Sequence, residues 1–157
     1  ALERIQMLHR GDLVAYLSSL VSREKESLSN FSASIMDMIH ICEHKLATRK
    51  LKIKKNFAVG ETDIWVPSLH LGVEIRDNWN EDEEVNLVRT LSDTNFRKRA
   101  LHLCLVTPDD LSDEKFLKLR EVEKRGVIDN LSVIRIGDFG NYLDALIKNF
   151  EKVKILL

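Results

Sequence analysis

The run Leu101-His102-Leu103-Cys104-Leu105-Val106 narrows most sharply what this chain can fold into. It is short, almost wholly apolar and closed by Thr107-Pro108-Asp109-Asp110, the signature of a central strand covered on both faces. Such a strand needs helices above and below its sheet, and the sequence on either side offers them. From Phe31 to Thr48, Ile35, Met36, Met38, Ile39, Cys42 and Leu46 recur at three- and four-residue spacings, the stripe of a helix with one buried face. Asn80 stands three residues before Glu83 as an N-cap with a reciprocal carboxylate. The helix it opens runs to about Arg99, with Val85, Leu87, Val88 and Leu91 turned inward. Ser112 caps a further helix carrying Phe116, Leu117 and Leu119 and ending near Gly126. Leu131 to Ile136 is a strand, and a last amphipathic helix begins near Gly140, with Tyr142, Leu143, Leu146, Ile147, Phe150 and Val153 on its apolar side.

Between the first of these helices and Asn80 the period changes from helical to alternating. Leu51, Ile53 and Phe57 alternate with lysines as in a half-exposed strand, Val59-Gly60 turns, and Glu61 to Val66 and Leu69 to Arg76 read as two strands joined at Pro67-Ser68. Three strands close in sequence followed by alternating helices and strands predict an α/β fold with a mixed central sheet flanked by helices. Residues 1–30 carry two further helical patterns, Leu2 to Leu8 and Leu13 to Val21, and are expected to be an N-terminal helical extension. Residues 31–157 are expected to be the α/β domain. The extension is a candidate dimer contact, and the opening alanine leaves room for a larger parent chain.

The totals exclude several classes of function. Apolar runs are only a few residues long, far short of the ~20 that a membrane helix needs, so no membrane partner is expected. Lys and Arg number 24 against 25 Asp and Glu, which argues against coating nucleic acid by bulk charge. Cys42 and Cys104 sit in apolar runs and form no CxxC pair, so they read as buried thiols in a reducing compartment, and the cytoplasm is the expected location. His40, His44, His70 and His102 show no zinc-ligand spacing, and neither a nucleophile elbow nor a phosphate-cradling glycine loop is present.

The charges are unevenly placed. Lys45, Arg49, Lys50, Lys52, Lys54 and Lys55 form a basic stretch, and Glu61, Asp63, Glu74, Asp77 and Glu81 to Glu84 follow it. Strand alternation puts Asp63 and Trp65 on one face of their strand and Glu74 and Arg76 on one face of the next. An acid among strong strand formers is costly unless it is solvated, paired or bound to a metal. Two acids on consecutive strands of a hairpin can converge, and hard oxygen ligands of that kind suit Mg²⁺ or Mn²⁺.

Helix, three-strand meander, helix and strand, with Asp63 on the second strand and Glu74-Ile75-Arg76 on the third, resembles the PD-(D/E)xK, or restriction-endonuclease-like, nuclease superfamily. The resemblance covers roughly Phe31 to Val106. It implies a metal-dependent nuclease acting on nucleic acid, DNA before RNA, with Mg²⁺ or Mn²⁺ held by Asp63 and Glu74 and by the backbone carbonyl of Ile75. It also implies that Glu43, on the helix before the meander, assists as a further metal ligand. Lys50, Lys52, Lys54 and Lys55 are the expected phosphate-binding residues. Two positions depart from the family: Thr62 stands where its proline would be, and Arg76 where lysine is usual. Arginine cannot give up its proton near neutral pH, so Arg76 can orient a water or a phosphate but cannot act as a general base. Lys52 and Lys54 are candidates for the missing amine. The alternative is a catalytically inactive module of the same fold that binds nucleic acid or a protein partner.

Plainer readings of the same residues stand beside these. Glu74 and Arg76 fit an ion pair on an exposed sheet face. Glu43 fits a solvated helix edge, Glu81 to Glu84 fit helix capping, and the lysines fit the guarding of an edge strand. Trp65 and Trp79 fit core or rim packing as well as a surface for stacking on a base.

Overall fold

A computed structural model describes residues 33–55 and 62–156. Within them the chain forms α1 (Ala33–Thr48), β1 (Lys54–Lys55), β2 (Ile64–Val66), β3 (Leu71–Ile75), α2 (Glu84–Lys98), β4 (His102–Thr107), α3 (Asp113–Lys124), β5 (Leu131–Arg135) and α4 (Phe139–Leu156). Short 3-10 turns at Pro67–Leu69, Glu81–Glu83 and Ile136–Asp138 complete the order. The expected helices over residues 1–30, the turn at Val59-Gly60 and the strand position of Phe57 lie outside the described residues.

The described strands make one five-stranded mixed sheet in the order β1-β2-β3-β4-β5. β1 to β3 are an antiparallel meander, and β4 and β5 add in parallel to β3. The meander can be antiparallel because its turn is tight: Pro67 opens a 3-10 turn, and His70 closes it in the left-handed region at φ 45° with its N–H on the Pro67 carbonyl. The later strands are parallel because a helix separates each from the one before.

Helices cover both faces of this sheet, as the apolar run at β4 demands. Leu103, Leu105, Leu131 and Val133 pack with Leu87 and Leu91 of α2 and with Leu119 and Val122 of α3. Successive strand residues alternate, so Cys104 and its register partner Ser132 face the other way. There Ser132 lies near the Tyr142 hydroxyl of α4, and Cys104 lies near Cys42 of α1. Phe139, Leu143, Leu46 and Cys42 are wholly buried. Arg49 at the end of α1 ties that layer together, with its guanidinium 2.7 Å and 3.2 Å from the two carboxylate oxygens of Asp144.

Ser112 caps α3 as expected, its hydroxyl accepting from the Lys115 N–H. Asn80 instead caps the 3-10 turn Glu81–Glu83 that leads into α2, its side chain accepting from the Asp82 N–H, and its contact with Glu83 runs side chain to side chain at 3.5 Å. Gly126 follows α3 at φ 69°, where an L side chain would be strained. Val85 differs from expectation. It is 66% exposed, because α2 turns Leu87, Leu91 and Thr94 inward and Val85 sits on the opposite side of the helix. Phe150, assigned to the apolar side of α4, is 48% exposed.

Neighbouring side chains leave no room for a Cβ at Gly72 of β3. A methyl group on Gly72 would stand 2.9 Å from Leu103 Cδ2 and 3.0 Å from the Thr62 hydroxyl. No described helix is long and apolar enough to cross a membrane.

Candidate active site

The pairing Ile64↔Val73 fixes the register of the hairpin, and one step further along it Asp63 stands opposite Glu74. The two residues are then joined by reciprocal bonds. The Asp63 N–H donates to Glu74 Oε1 at 3.2 Å, and the Ile75 N–H donates to Asp63 Oδ2 at 2.9 Å. Arg76, just past the end of β3, places Nη2 2.7 Å from Glu74 Oε2. Its own N–H is held by the Val106 carbonyl of β4. The structure therefore brings Asp63, Glu74 and Arg76 together at one end of the sheet.

Burial decides the character of this group. Glu74 is only 2% exposed, so the exposed-face ion pair is not what the chain makes. Its register partners Leu105 and Val133 belong to the core under α2 and α3, which puts Glu74 on that face. Burial pushes the Glu74 carboxyl well above the ordinary carboxylate range, the neighbouring Asp63 carboxylate pushes it further, and the Arg76 guanidinium pulls it back. Asp63 is also raised by burial, with the Ile75 N–H and Arg76 opposing the rise. Both carboxyls are therefore raised, Glu74 the more strongly because it is the deeper of the two.

Glu43 does not join them. It lies on α1, in the layer covering the opposite face, and its carboxylate meets Lys55 Nζ at 2.9 Å and His40 Nδ1 at 3.4 Å. Among the described residues, no three His, Cys, Asp or Glu side chains come together in a way that could hold a metal ion. The lysines are divided as well. Lys50 lies in the turn after α1, in the left-handed region at φ 58°, Lys52 is exposed, and Lys54 and Lys55 occupy the edge strand β1. Successive strand residues face opposite ways, so Lys54 lies across from Trp65 while Lys55 lies across from Ile64 and reaches Glu43.

Several participants escaped the sequence reading. Thr62, 2% exposed, donates its N–H to the Thr94 hydroxyl of α2 at 3.2 Å and so braces the residue before Asp63. Thr94 continues the Leu87–Leu91 stripe, and a hydroxyl in an apolar stripe was the available signal. Trp65 is a core residue, with Lys98 Nζ 5.7 Å from its ring centre and His70 edge-on at 6.1 Å. Trp79 packs against the same core from the rim. The Nε of Arg76 and the indole Nε1 of Trp79 are both buried without a hydrogen-bond partner, and both residues line one small cavity of about 10 Å³. That is about the space of a single water molecule.

Compared with protein-family models, with curated proteins and with solved structures, the chain matches none.

Proposed function

We propose that the chain is a metal-dependent nuclease that hydrolyses phosphodiester bonds in nucleic acid, DNA being the favoured substrate, and that its restriction-endonuclease-like core carries the centre at Asp63, Glu74 and Arg76. The observation that carries this reading is the meeting of two buried carboxylates across the β2–β3 hairpin, tied through each other's backbone and touched by one guanidinium. A structural ion pair needs one acid. A second acid in the same low-dielectric spot opposes folding, and such costly pairs are concentrated at functional sites. The helix, meander, helix, strand order of α1 to β4 supports the same reading.

The donor set fits Mg²⁺ or Mn²⁺. Such ions take hard oxygens and make do with one or two protein carboxylates, water filling the remaining positions. Asp63 and Glu74 would hold the ion, which when bound supplies an activated water and neutralises phosphoryl charge. The chain's own residues do the rest. The Ile75 N–H fixes the Asp63 carboxylate, the Thr62–Thr94 bond fixes the strand entering it, and Arg76 presents a permanent cation to the phosphate. Glu43 would assist from α1 only after leaving Lys55. The exposed Lys50, Lys52 and Lys54 offer phosphate contacts along one edge of the sheet. The two buried free thiols support a reducing, cytoplasmic setting.

Cleavage of single-stranded, duplex and branched substrates with Mg²⁺ or Mn²⁺ tests the proposal, with Asp63→Asn and Glu74→Gln alongside. Metal-dependent cleavage by the parent that falls at least about 100-fold in either variant is expected. Equal cleavage by parent and variants would remove the centre from these residues.

The Arg76–Glu74 contact favours a second reading. A guanidinium 2.7 Å from the carboxylate occupies it with a cation that never deprotonates. A catalytically inactive module that keeps the fold and binds nucleic acid or a protein partner would look the same. Salt-sensitive binding without turnover in any metal supports that reading.

A further inference from the structure

A cleft of about 430 Å³ opens between the head of α2 and the outer side of α3, within the range of small-molecule sites. Trp79 and Glu81 stand on one wall, and Lys118, Glu121 and Lys124 on the other. Glu84 and Arg125 join the two helices at this cleft through a 3.0 Å ion pair.

Three observations say what such a cleft can take. Its charges balance, with Lys118, Lys124 and Arg125 against Glu81, Glu84 and Glu121. A site for phosphate alone would carry an excess of cations. Apart from the Glu84–Arg125 pair none of these charges is matched within the described residues, so acceptors and donors both face the space. The second observation is Trp79, an aromatic wall whose position is set by packing on the core cluster. The third is continuity: Trp79 and Glu84 also line the small cavity that Arg76 and Asn78 enter, and Arg76 touches Glu74.

We infer that this cleft receives a nucleobase, the one ligand class in reach of a phosphodiester centre that offers a flat face to an indole and an edge carrying both donors and acceptors. The choice of a nucleobase and its placement beside the scissile bond rest on the nuclease reading; the cleft and its lining do not. The base belongs either to a free nucleotide or to one unit of a single strand, and the chemistry is common to both.

Binding is measured by calorimetry on the full chain carrying Glu74→Gln, without metal, so that cleavage plays no part. The probes are nucleoside monophosphates, a trinucleotide and an abasic ribose phosphate. Base-bearing probes are expected to bind and the abasic probe to bind at least tenfold more weakly. Lys118→Ala with Lys124→Ala, both exposed positions, should weaken binding about tenfold, and Trp79→Phe should retain it where Trp79→Leu does not. Equal affinity for mononucleotide and trinucleotide assigns the site to a free nucleotide; a clear gain with the trinucleotide assigns it to a strand. Equal binding of the abasic probe, or no response to the lysine and tryptophan changes, would overturn the cleft. The two readings separate cleanly. A parent that cuts nucleic acid with KM unchanged by the lysine variants sinks the cleft and leaves the nuclease, whereas base binding without any cleavage sinks the nuclease and leaves the cleft.

Discussion

The amide of Asp63 donates to the carboxylate of Glu74, while the carboxylate of Asp63 receives the amide of the residue after Glu74. Each acid is thus anchored by the other's strand, and neither can turn away without losing a backbone partner. That geometry keeps the pair together at a cost in solvation, and the consequences are measurable.

Glu74→Gln is expected to stabilise the protein at neutral pH. The Glu74 carboxyl is raised in the folded chain, so folding binds a proton that the unfolded chain releases above the ordinary glutamate range. The parent therefore loses stability as pH climbs from that range toward the raised value, and glutamine has no proton to lose. A gain of about 1 kcal/mol near pH 7, or roughly 3 °C in Tm, should shrink to nothing below about pH 4. A parent that gains stability with rising pH over this range would contradict the raised Glu74 carboxyl.

Arg76→Lys introduces a cation that can titrate. In the nuclease reading, cleavage should rise about tenfold above neutral pH, since an amine can relay a proton and a guanidinium cannot. Rates compared between pH 7 and 9 with Mn²⁺ decide the matter, and a flat or reduced profile assigns Arg76 to charge neutralisation alone.

Neither thiol should react in the native protein. Burial pushes Cys42 up to about 12 and raises Cys104 well above its ordinary value. Labelling by an aromatic disulfide should be slower than in denaturant by a factor of about 1,000 or more. Rapid native labelling would show that the layer between α1 and the sheet opens easily.

Gly72→Ala should cost about 1–3 kcal/mol. The added methyl meets Leu103 at 2.9 Å and Thr62 at 3.0 Å. Thr62 is also the residue that braces Asp63, so in the nuclease reading cleavage should fall more than the stability loss explains. Denaturant midpoints and rates on the same preparation separate the two effects.

Much of this architecture was legible in the sequence, because apolar spacing and capping are local signals. Asn80 and Ser112 cap as their side chains require, and the run at β4 demanded two helical layers. The approach of Asp63 to Glu74 was legible for a related reason: a tight turn at Pro67 leaves strand alternation little freedom. The burial of Glu74 was not. It depends on α2 lying over that face, and no residue near Glu74 announces it. That Glu43 pairs with Lys55 was not legible, for a similar cause. Its position along α1 is set by sequence, but which face of the sheet α1 covers is a tertiary outcome. The cleft at Trp79 is further still from view, since its walls come from segments that only the fold makes neighbours.

Arg135 ends β5 and never reaches the cleft, yet it governs where one wall stands. Its guanidinium holds the Asp109 carbonyl at 2.9 Å, the Leu111 carbonyl at 2.7 Å and the Asp113 carboxylate at 2.9 Å, and it lies 4.4 Å from the centre of the Phe116 ring. Every one of those contacts falls on the approach to α3 or on its first turn. Lys118, Glu121 and Lys124 ride on the helix so placed. Selection for binding at the cleft would therefore act on a residue at the far edge strand, and a genetic screen would return Arg135 as a distant suppressor or disruptor before it exhausted the residues that touch the ligand.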